Sequence, residues 1–204
     1  MRNTLLKTSC VVLSLLLACA ASHAGQAEKG RIEVRDGFLA ISFVPPPGVG
    51  PAPREELELL QKMGRRVKFM FRDAEADMTV SVNTFGEDAT AEEVAGIVKA
   101  MEAELKKRHP QGVFLARGPV KINGYKWLRL RHRTGPAADE EVNDYYLIDW
   151  AGKVVLFNFS TMVGGYERRR AALERSARTI QLMVMVEAPV EEGPREQPPP
   201  ARRP

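Results

Sequence analysis

Length and composition point to one ordinary globular domain. The chain has 204 residues, of which 44% are hydrophobic, 27% charged and 7% aromatic. These values are typical of a protein long enough for one domain and too short to need two. Both cysteines, Cys10 and Cys19, and one of the three histidines, His23, fall within the first 24 residues. The rest of the sequence has no cysteine, which excludes thiol chemistry there.

Residues 1–24 have the three parts of an export signal. A basic start with Arg2 and Lys7 leads into the apolar run 11–18 and then to the small-residue end Ser22-His23-Ala24. A buried N-terminal helix fits these regions less well, and a membrane-spanning helix would need roughly 20 apolar residues. We therefore predict a signal peptide at 1–24.

Two processing outcomes differ in how the mature protein is held. Cleavage after Ala24 would release a soluble periplasmic protein that begins at Gly25. The segment Leu16-Leu17-Ala18-Cys19 instead resembles a lipobox, in which Cys19 would be lipidated and would anchor the protein to the membrane. We favour cleavage after Ala24, because Leu17 before the small residue makes a weak lipobox, and we keep the lipoprotein as the alternative.

Processing also lowers the charge of the protein. Removing Arg2 and Lys7 from the 30 basic residues leaves 28, against 26 acidic ones, so the formal charge falls from +4 to +2. A nucleic-acid-binding protein concentrates positive charge on one face, and we expect no nucleic acid as a partner. We expect membrane contact only through a lipid on Cys19.

The C-terminal residues 187–204 differ in composition from everything before them. They contain 6 of the 14 prolines and almost no large apolar side chain. Such a segment cannot bury enough surface to offset the entropy that ordering would cost. We predict a disordered Pro-rich tail at 187–204, used as a spacer, a docking peptide or simply a solvated end, and a single domain at 25–186.

The central part of the sequence alternates strand and helix signals. Asp36-Gly37 between two alternating runs predicts a β-hairpin, and Thr90 with Glu93 predicts the start of a helix. Asn123-Gly124 is one of several short links that favour antiparallel neighbours. In chain order we predict strands at 31–35 and 38–44, a helix at 53–60, strands at 67–71 and 78–85, a helix that begins after Thr90 and stops within 106–110, strand segments at 113–120, 121–122, 125–133, 144–150 and 154–161, and a helix from 166 to about 182. This order predicts an α+β domain with helices packed on roughly six antiparallel strands.

The sequence lacks the motifs that catalysis and metal binding require. After residue 24 only His109 and His132 remain, on different predicted elements, whereas a zinc or iron site needs three or four converging ligands. We expect His109 to cap a helix end and His132 to face solvent or a strand neighbour. No serine lies in a Gly-x-Ser-x-Gly elbow, and no glycine loop fits a phosphate. We predict no enzyme activity, no catalytic residue, no metal and no cofactor.

One predicted strand, 125–133, carries a pattern that suggests a binding surface. Its alternation places four side chains on one face: Trp127, Arg129, Arg131 and Arg133. Such a row suits an acidic partner or an anionic headgroup. We favour the other interpretation, a set of cross-strand pairs with the next strand, through Asp144, Tyr145 and Asp149. The Pro-rich loop 44–53 is a second candidate contact surface, or else a rigid connection.

Several short motifs follow one another in a characteristic order. They are Phe43 to Gly48 after the opening hairpin, Ile122-Asn123-Gly124 followed by Trp127, Tyr145-Tyr146, Gly152, Phe157-Asn158-Phe159, and Ser176 to Ile180 at the end of the last helix. In this order they resemble the DcrB-like branch of the PsbP-like family over about residues 31–182. The resemblance implies a three-layer α/β/α sandwich around an antiparallel sheet.

The resemblance also bears on function. Members of the family include a photosystem II extrinsic subunit, a Ran-binding transport factor, bacterial envelope proteins and cytoplasmic chaperones of type VI secretion effectors, and they share no catalytic set. With the export signal, it implies a non-enzymatic accessory protein of the bacterial cell envelope that binds another envelope protein. The alternative is a periplasmic carrier of a lipid or small ligand in a gap between sheet and helices. The sequence leaves the oligomeric state open.

Overall fold

The computed structural model describes residues 30–184, apart from 38, 66, 76, 138 and 139. The predicted signal peptide with Cys19 and Ala24, and the predicted tail at 187–204, lie outside the described residues. No helix in the described part of the chain is long and apolar enough to cross a membrane.

Ten strands and three helices make up the described fold. In chain order they are β1 (Ile32–Asp36), β2 (Leu39–Phe43), β3 (Gly50–Pro51), α1 (Arg54–Lys62), β4 (Phe69–Arg72), β5 (Met78–Phe85), α2 (Ala91–Arg108), β6 (Val113–Ile122), β7 (Tyr125–Arg133), β8 (Glu141–Trp150), β9 (Lys153–Met162), α3 (Tyr166–Arg178) and β10 (Gln181–Val184). A single 3₁₀ turn at Val163–Gly165 leads into α3.

The strands form two antiparallel sheets. The larger sheet has seven strands in the order β3-β4-β5-β9-β8-β7-β6, and the smaller has three in the order β1-β2-β10. The α+β class is therefore confirmed, with more strands than the roughly six predicted. Asn123-Gly124 joins β6 to β7 as predicted, and both of its residues have positive φ, 47° and 88°, as a type I′ hairpin turn requires.

The opening hairpin forms, but its turn lies one residue later than predicted. Asp36 is the last residue of β1 and pairs with Leu39, so the turn does not include it. The Asp36 carboxylate accepts hydrogen bonds from Lys68 Nζ at 2.7 Å and from the Thr84 hydroxyl. These bonds tie the small sheet to the large one and favour a strand conformation at Asp36.

Helix α2 matches its prediction closely. The Thr90 side chain accepts from the Glu93 amide while the Glu93 side chain accepts from the Thr90 amide, which completes the predicted capping box. The helix ends at its C-cap, His109. Its apolar stripe covers one face of the large sheet, where Val94 packs with Leu147 and Val154.

The last helix is shorter than predicted. Helix α3 ends at Arg178, and the chain continues as β10, which pairs with β2 through contacts such as Leu182 with Ile41. The predicted helix to residue 182 is therefore wrong. The apolar spacing of this segment fits either a helix or a strand. It becomes a strand because it pairs with β2, far earlier in the chain, in the register Leu182 to Ile41.

The main core lies between the large sheet, α3 and the small sheet. It includes Phe43 from β2, Phe157 from β9 and Leu173 from α3, all nearly or fully buried. The arrangement gives three layers, with α2 on one face of the large sheet and α3 with the small sheet on the other. Each strand of the large sheet therefore presents alternate residues to two different surroundings.

Candidate functional site

The row of side chains predicted on β7 does share one face, but that face lies beneath α3. Trp127 is 1% exposed and Arg131 4% exposed, and Arg129 and Arg133 are half-buried. The row is therefore not the exposed binding surface that the alternation suggested. Alternation along one strand shows which residues share a face, and a separate helix determines whether solvent reaches that face.

Arg129 and Arg131 pair with charges on β8 and α3, whereas Arg133 forms no ion pair with another described residue and its buried Nε has no hydrogen-bond partner there. Arg131 Nη2 lies 2.5 Å from Asp144 Oδ2 and 2.8 Å from Glu174 Oε1. Arg129 donates to both oxygens of Asp144, each at 2.9 Å. Arg131 also donates from Nη1 to the Tyr166 hydroxyl at 2.7 Å. The structure thus shows the alternative, cross-strand pairing through Asp144, and extends it to the final helix.

This network keeps its hydroxyl groups protonated. Burial raises the pKa of Asp144 to about 6, although Arg129 beside it acts to lower that pKa. Burial also raises the pKa of Tyr166 to about 12 and moves the pKa of Tyr146 upward. The Tyr146 hydroxyl therefore remains a donor, and it donates to Asp144 Oδ2 at 2.9 Å. Arg129 and Arg131 are paired with Asp144 and Glu174, and the half-exposed Arg170 also pairs with Glu174 at 3.3 Å. Each buried charge thus has an opposite charge beside it, which is what a buried charge cluster requires.

The opposite face of the large sheet contains an open site that the sequence analysis missed. Helix α2 covers one end of this face, and the uncovered part forms a cleft of about 620 Å³. We call it the polar cleft. Its floor consists of Thr79, Asn143, Tyr145, Asn158 and Ser160, and its walls include Arg65, Leu105, Arg108, His109, Thr134, Glu140 and Glu141.

Register explains how the floor of the polar cleft is assembled. Ser160 of β9 lies between Thr79 of β5 and Asn143 of β8. Asn158 pairs with Tyr145 of β8 in the same way. Asn158 Nδ2 donates to Asn143 Oδ1 at 2.9 Å. The alternation of polar and apolar residues along the three predicted strands indicates that each strand has a polar face. These faces form a cleft only because the three strands lie side by side in the sheet.

Two histidines that the sequence analysis treated as separate lie together beside this cleft. His132 is fully buried, and its ring lies 5.7 Å from that of His109 and 4.7 Å from that of Phe114. Of the two predicted outcomes for His132, contact with a strand neighbour is confirmed, because Phe114 of β6 lies opposite it; exposure to solvent is not, because β6 and the end of α2 enclose it. Within the described residues, neither ring nitrogen of His132 has a hydrogen-bond partner. Burial, and then the nearby His109, lower the pKa of His132.

No group of three or more potential metal ligands occurs within residues 30–184 as described. The two histidines therefore have no third potential ligand among those residues.

Comparison with known proteins identifies the fold. No protein-family model matches the sequence, and no curated protein sequence matches it. Among solved structures, the solution structure of cyanobacterial PsbP (CyanoP) from Synechocystis matches with a TM-score of 0.52 at 14% identity, covering 78% of this chain and 97% of that one. LpqN of Mycobacterium tuberculosis, involved in cell envelope biogenesis, matches with a TM-score of 0.50 at 12% identity, covering 75% of this chain and 90% of that one.

The chain therefore belongs to the class of α+β proteins with a PsbP-like fold. At these identities the likeness concerns the fold, which the resemblance in the sequence had implied. The narrower assignment to the DcrB-like branch stays a prediction.

We expect Asp144→Asn to destabilise the protein by about 3–5 kcal/mol, because it leaves Arg129 and Arg131 buried with one negative charge fewer. Urea denaturation of the domain measures the change. The matched control is Asp149→Asn, five residues further along β8, where the side chain has no hydrogen bond or ion pair with other described residues and the cost should be under about 0.5 kcal/mol. Equal stability of the two variants would contradict the role given to the network.

We expect acid to destabilise the protein through His132. Its folded-state pKa lies below the ordinary 6.5. Below pH 6.5 the unfolded chain therefore binds a proton that the folded chain does not bind. Because of this difference, the free energy of unfolding falls as pH falls. The loss should reach at most about 1.4 kcal/mol per pH unit. Chemical denaturation measures the free energy of unfolding of the wild type and of His132→Leu from about pH 7.5 to about pH 5, a range that spans the ordinary His pKa of about 6.5. This free energy should fall less steeply with pH in the variant than in the wild type.

The comparison isolates His132, because every other titrating group, Asp144 included, is common to both proteins. His109→Gln is the second control. It should keep most of the decline, since burial affects the pKa of His132 more than His109 does. Parallel pH curves for the wild type and His132→Leu would show that His132 can be protonated without opening the fold.

Proposed function

We propose that this chain is an exported, non-enzymatic accessory protein of the bacterial cell envelope that acts by binding another protein. The signal-like sequence at 1–24 supports export. The PsbP-like fold is shared with LpqN, which is involved in cell envelope biogenesis, and with CyanoP. Because one fold serves many functions, the proposal needs a surface on this molecule that suits a protein partner.

An apolar groove beside α3 is the observation that carries the proposal. It encloses about 410 Å³ between the loop at 44–47 and the outer side of α3. We call it the proline groove. Its lining is Val44, Pro45, Pro46, Pro47, Ala172, Ser176 and Thr179, with Arg175 and Arg178 at its rim. Part of the loop predicted as a second contact surface thus forms one wall.

The proline groove is already formed in the free chain. Ser176 Oγ donates to the Val44 carbonyl at 2.6 Å, and the Val44 amide donates to Thr179 Oγ1 at 2.7 Å. The three prolines further restrict the backbone of the loop. A partner that enters the groove therefore pays little conformational entropy to order it.

The rim gives the groove its specificity. Arg175 and Arg178 are exposed, and neither forms an ion pair with another described residue. Their charges are available to a ligand, in contrast to those of Arg129 and Arg131, which are used inside the protein. An apolar floor beside two free guanidinium groups fits an acidic segment of a partner protein that inserts an apolar side chain.

In-cell cross-linking tests this function. A photoreactive phenylalanine analogue in place of Ala172 should form an adduct with an envelope protein, and Arg175→Glu with Arg178→Glu should abolish it. Arg168→Glu is the matched control, since Arg168 is an exposed arginine of α3 outside the groove. An adduct that survives the double reversal would contradict the proposed surface. An adduct with lipid alone would favour the alternative, a lipid carrier.

Intact mass analysis of the protein from its native host tests export. We expect a mature chain that begins at Gly25, unchanged in Cys19→Ser. A product that begins at a diacylated Cys19, and is lost in Cys19→Ser, would instead establish the lipoprotein. A chain that keeps residues 1–24 and stays in the cytoplasm would contradict export altogether.

A further inference from the structure

The floor of the polar cleft offers hydrogen-bonding groups that the protein itself does not use. Among the described residues, the hydroxyls of Thr79, Tyr145 and Ser160 have no hydrogen-bond partner. Asn158 Oδ1 is buried and also lacks one. Three hydroxyls, each able to donate or accept, are thus presented together on adjacent strands that line the cleft. This concentration of free donors and acceptors favours a ligand rich in hydroxyl groups.

The charges around the cleft balance. Arg65 and Arg108 line it with two positive charges, and Glu140 and Glu141 line it with two negative ones. Burial and then Glu141 raise the pKa of Tyr145 to about 12, while Arg65 and Arg108 act to lower it. The hydroxyl of Tyr145 thus stays protonated among charges of both signs. With two charges of each sign the site has no net charge that would favour an anion or a cation overall, and its charged groups can act as strong donors and acceptors for a neutral ligand.

The size of the cleft sets the scale of the ligand. Sites for drug-sized ligands enclose about 300–1,000 Å³, and the polar cleft encloses about 620 Å³. The lining is largely polar, and Leu105 and the ring of Tyr145 supply apolar surface. Sugar rings match this combination, because they carry hydroxyls around their edge and C–H groups on their faces.

We propose that the polar cleft binds a neutral oligosaccharide. Thr79, Tyr145 and Ser160 contact its hydroxyls from the floor, and Arg65, Arg108 and Glu141 bind it from the walls. The site lies on the face of the large sheet opposite α3, so it is separate from the proline groove. The inference therefore goes beyond the proposed protein-binding function and does not rest on it.

Titration followed by ¹H–¹⁵N NMR tests the inference. The probes are neutral trisaccharides of glucose and of N-acetylglucosamine, with trigalacturonic acid as an anion and diglycine as a zwitterion, each at millimolar concentration. We expect at least one neutral trisaccharide to shift the amide signals of β8, β9 and the end of α2. No response to either neutral trisaccharide, or a stronger response to the anion or the zwitterion, would overturn the proposal.

Paired substitutions locate the binding site. Tyr145→Phe with Ser160→Ala removes two hydroxyls from the floor and should weaken binding about tenfold, the effect of two neutral hydrogen bonds. Tyr125→Phe is the control, because Tyr125 is half-exposed, contacts Trp150 and does not line the cleft. Unchanged signals elsewhere in the spectrum verify that both variants fold. Equal affinity of the double variant and the control would overturn the proposed site.

Arg175→Glu with Arg178→Glu separates the two proposals. This variant should bind the trisaccharide as the wild type does, because both arginines lie at the proline groove. A loss of trisaccharide binding in this variant would overturn the separation of the two sites and with it the placement of the ligand in the polar cleft.

Discussion

The ion pair between Arg131 and Asp144 is the constraint on which the other contacts depend. Both side chains are almost fully buried, and a buried charge is tolerated only when it is paired and hydrogen-bonded. Pairing both Nη atoms of Arg131, whose Nε has no partner among the described residues, requires β8 opposite β7 in the observed register, with Tyr166 and Glu174 of α3 above. A slip of one residue would turn Arg131 to the other face of the sheet. The pair therefore specifies where the strands and the last helix meet.

This use of charge determines which surfaces are left for binding. Arg129 and Arg131 of β7 are neutralised inside, whereas Arg175 and Arg178 of α3 carry free positive charge at the proline groove. Strand β8 serves both faces of the sheet. Asp144 points to the network beneath α3, while Tyr145 points to the polar cleft. One alternating strand thus supports the structural core and a candidate binding site.

Local signals made much of the fold predictable, and long-range contacts account for the rest. The capping box at Thr90 and the turn at Asn123-Gly124 act over a few residues, so the sequence reveals them directly. The strand character of 181–184 depends on β2, and the burial of Arg131 depends on α3. The polar cleft depends on both local and long-range contacts. The sequence shows that polar residues alternate along each strand, but only the strand order shows that Thr79, Asn143 and Ser160 lie side by side.

The neighbourhood of His132 shows why a binding face can be less stable than the core. The network beneath α3 pairs every charge it buries, whereas His132 is buried with two ring nitrogens that lack partners among the described residues. His109 lines the polar cleft and lies 5.7 Å from His132. Protonation of His132 would place an unpaired positive charge in this wall of the cleft, so acid should weaken the α2 side of the sheet. The α3 side responds in a different way, because burial raises the pKa of Asp144 to about 6 and its protonation removes one negative charge opposite Arg129 and Arg131. One sheet thus supports two candidate sites that acid affects through different groups.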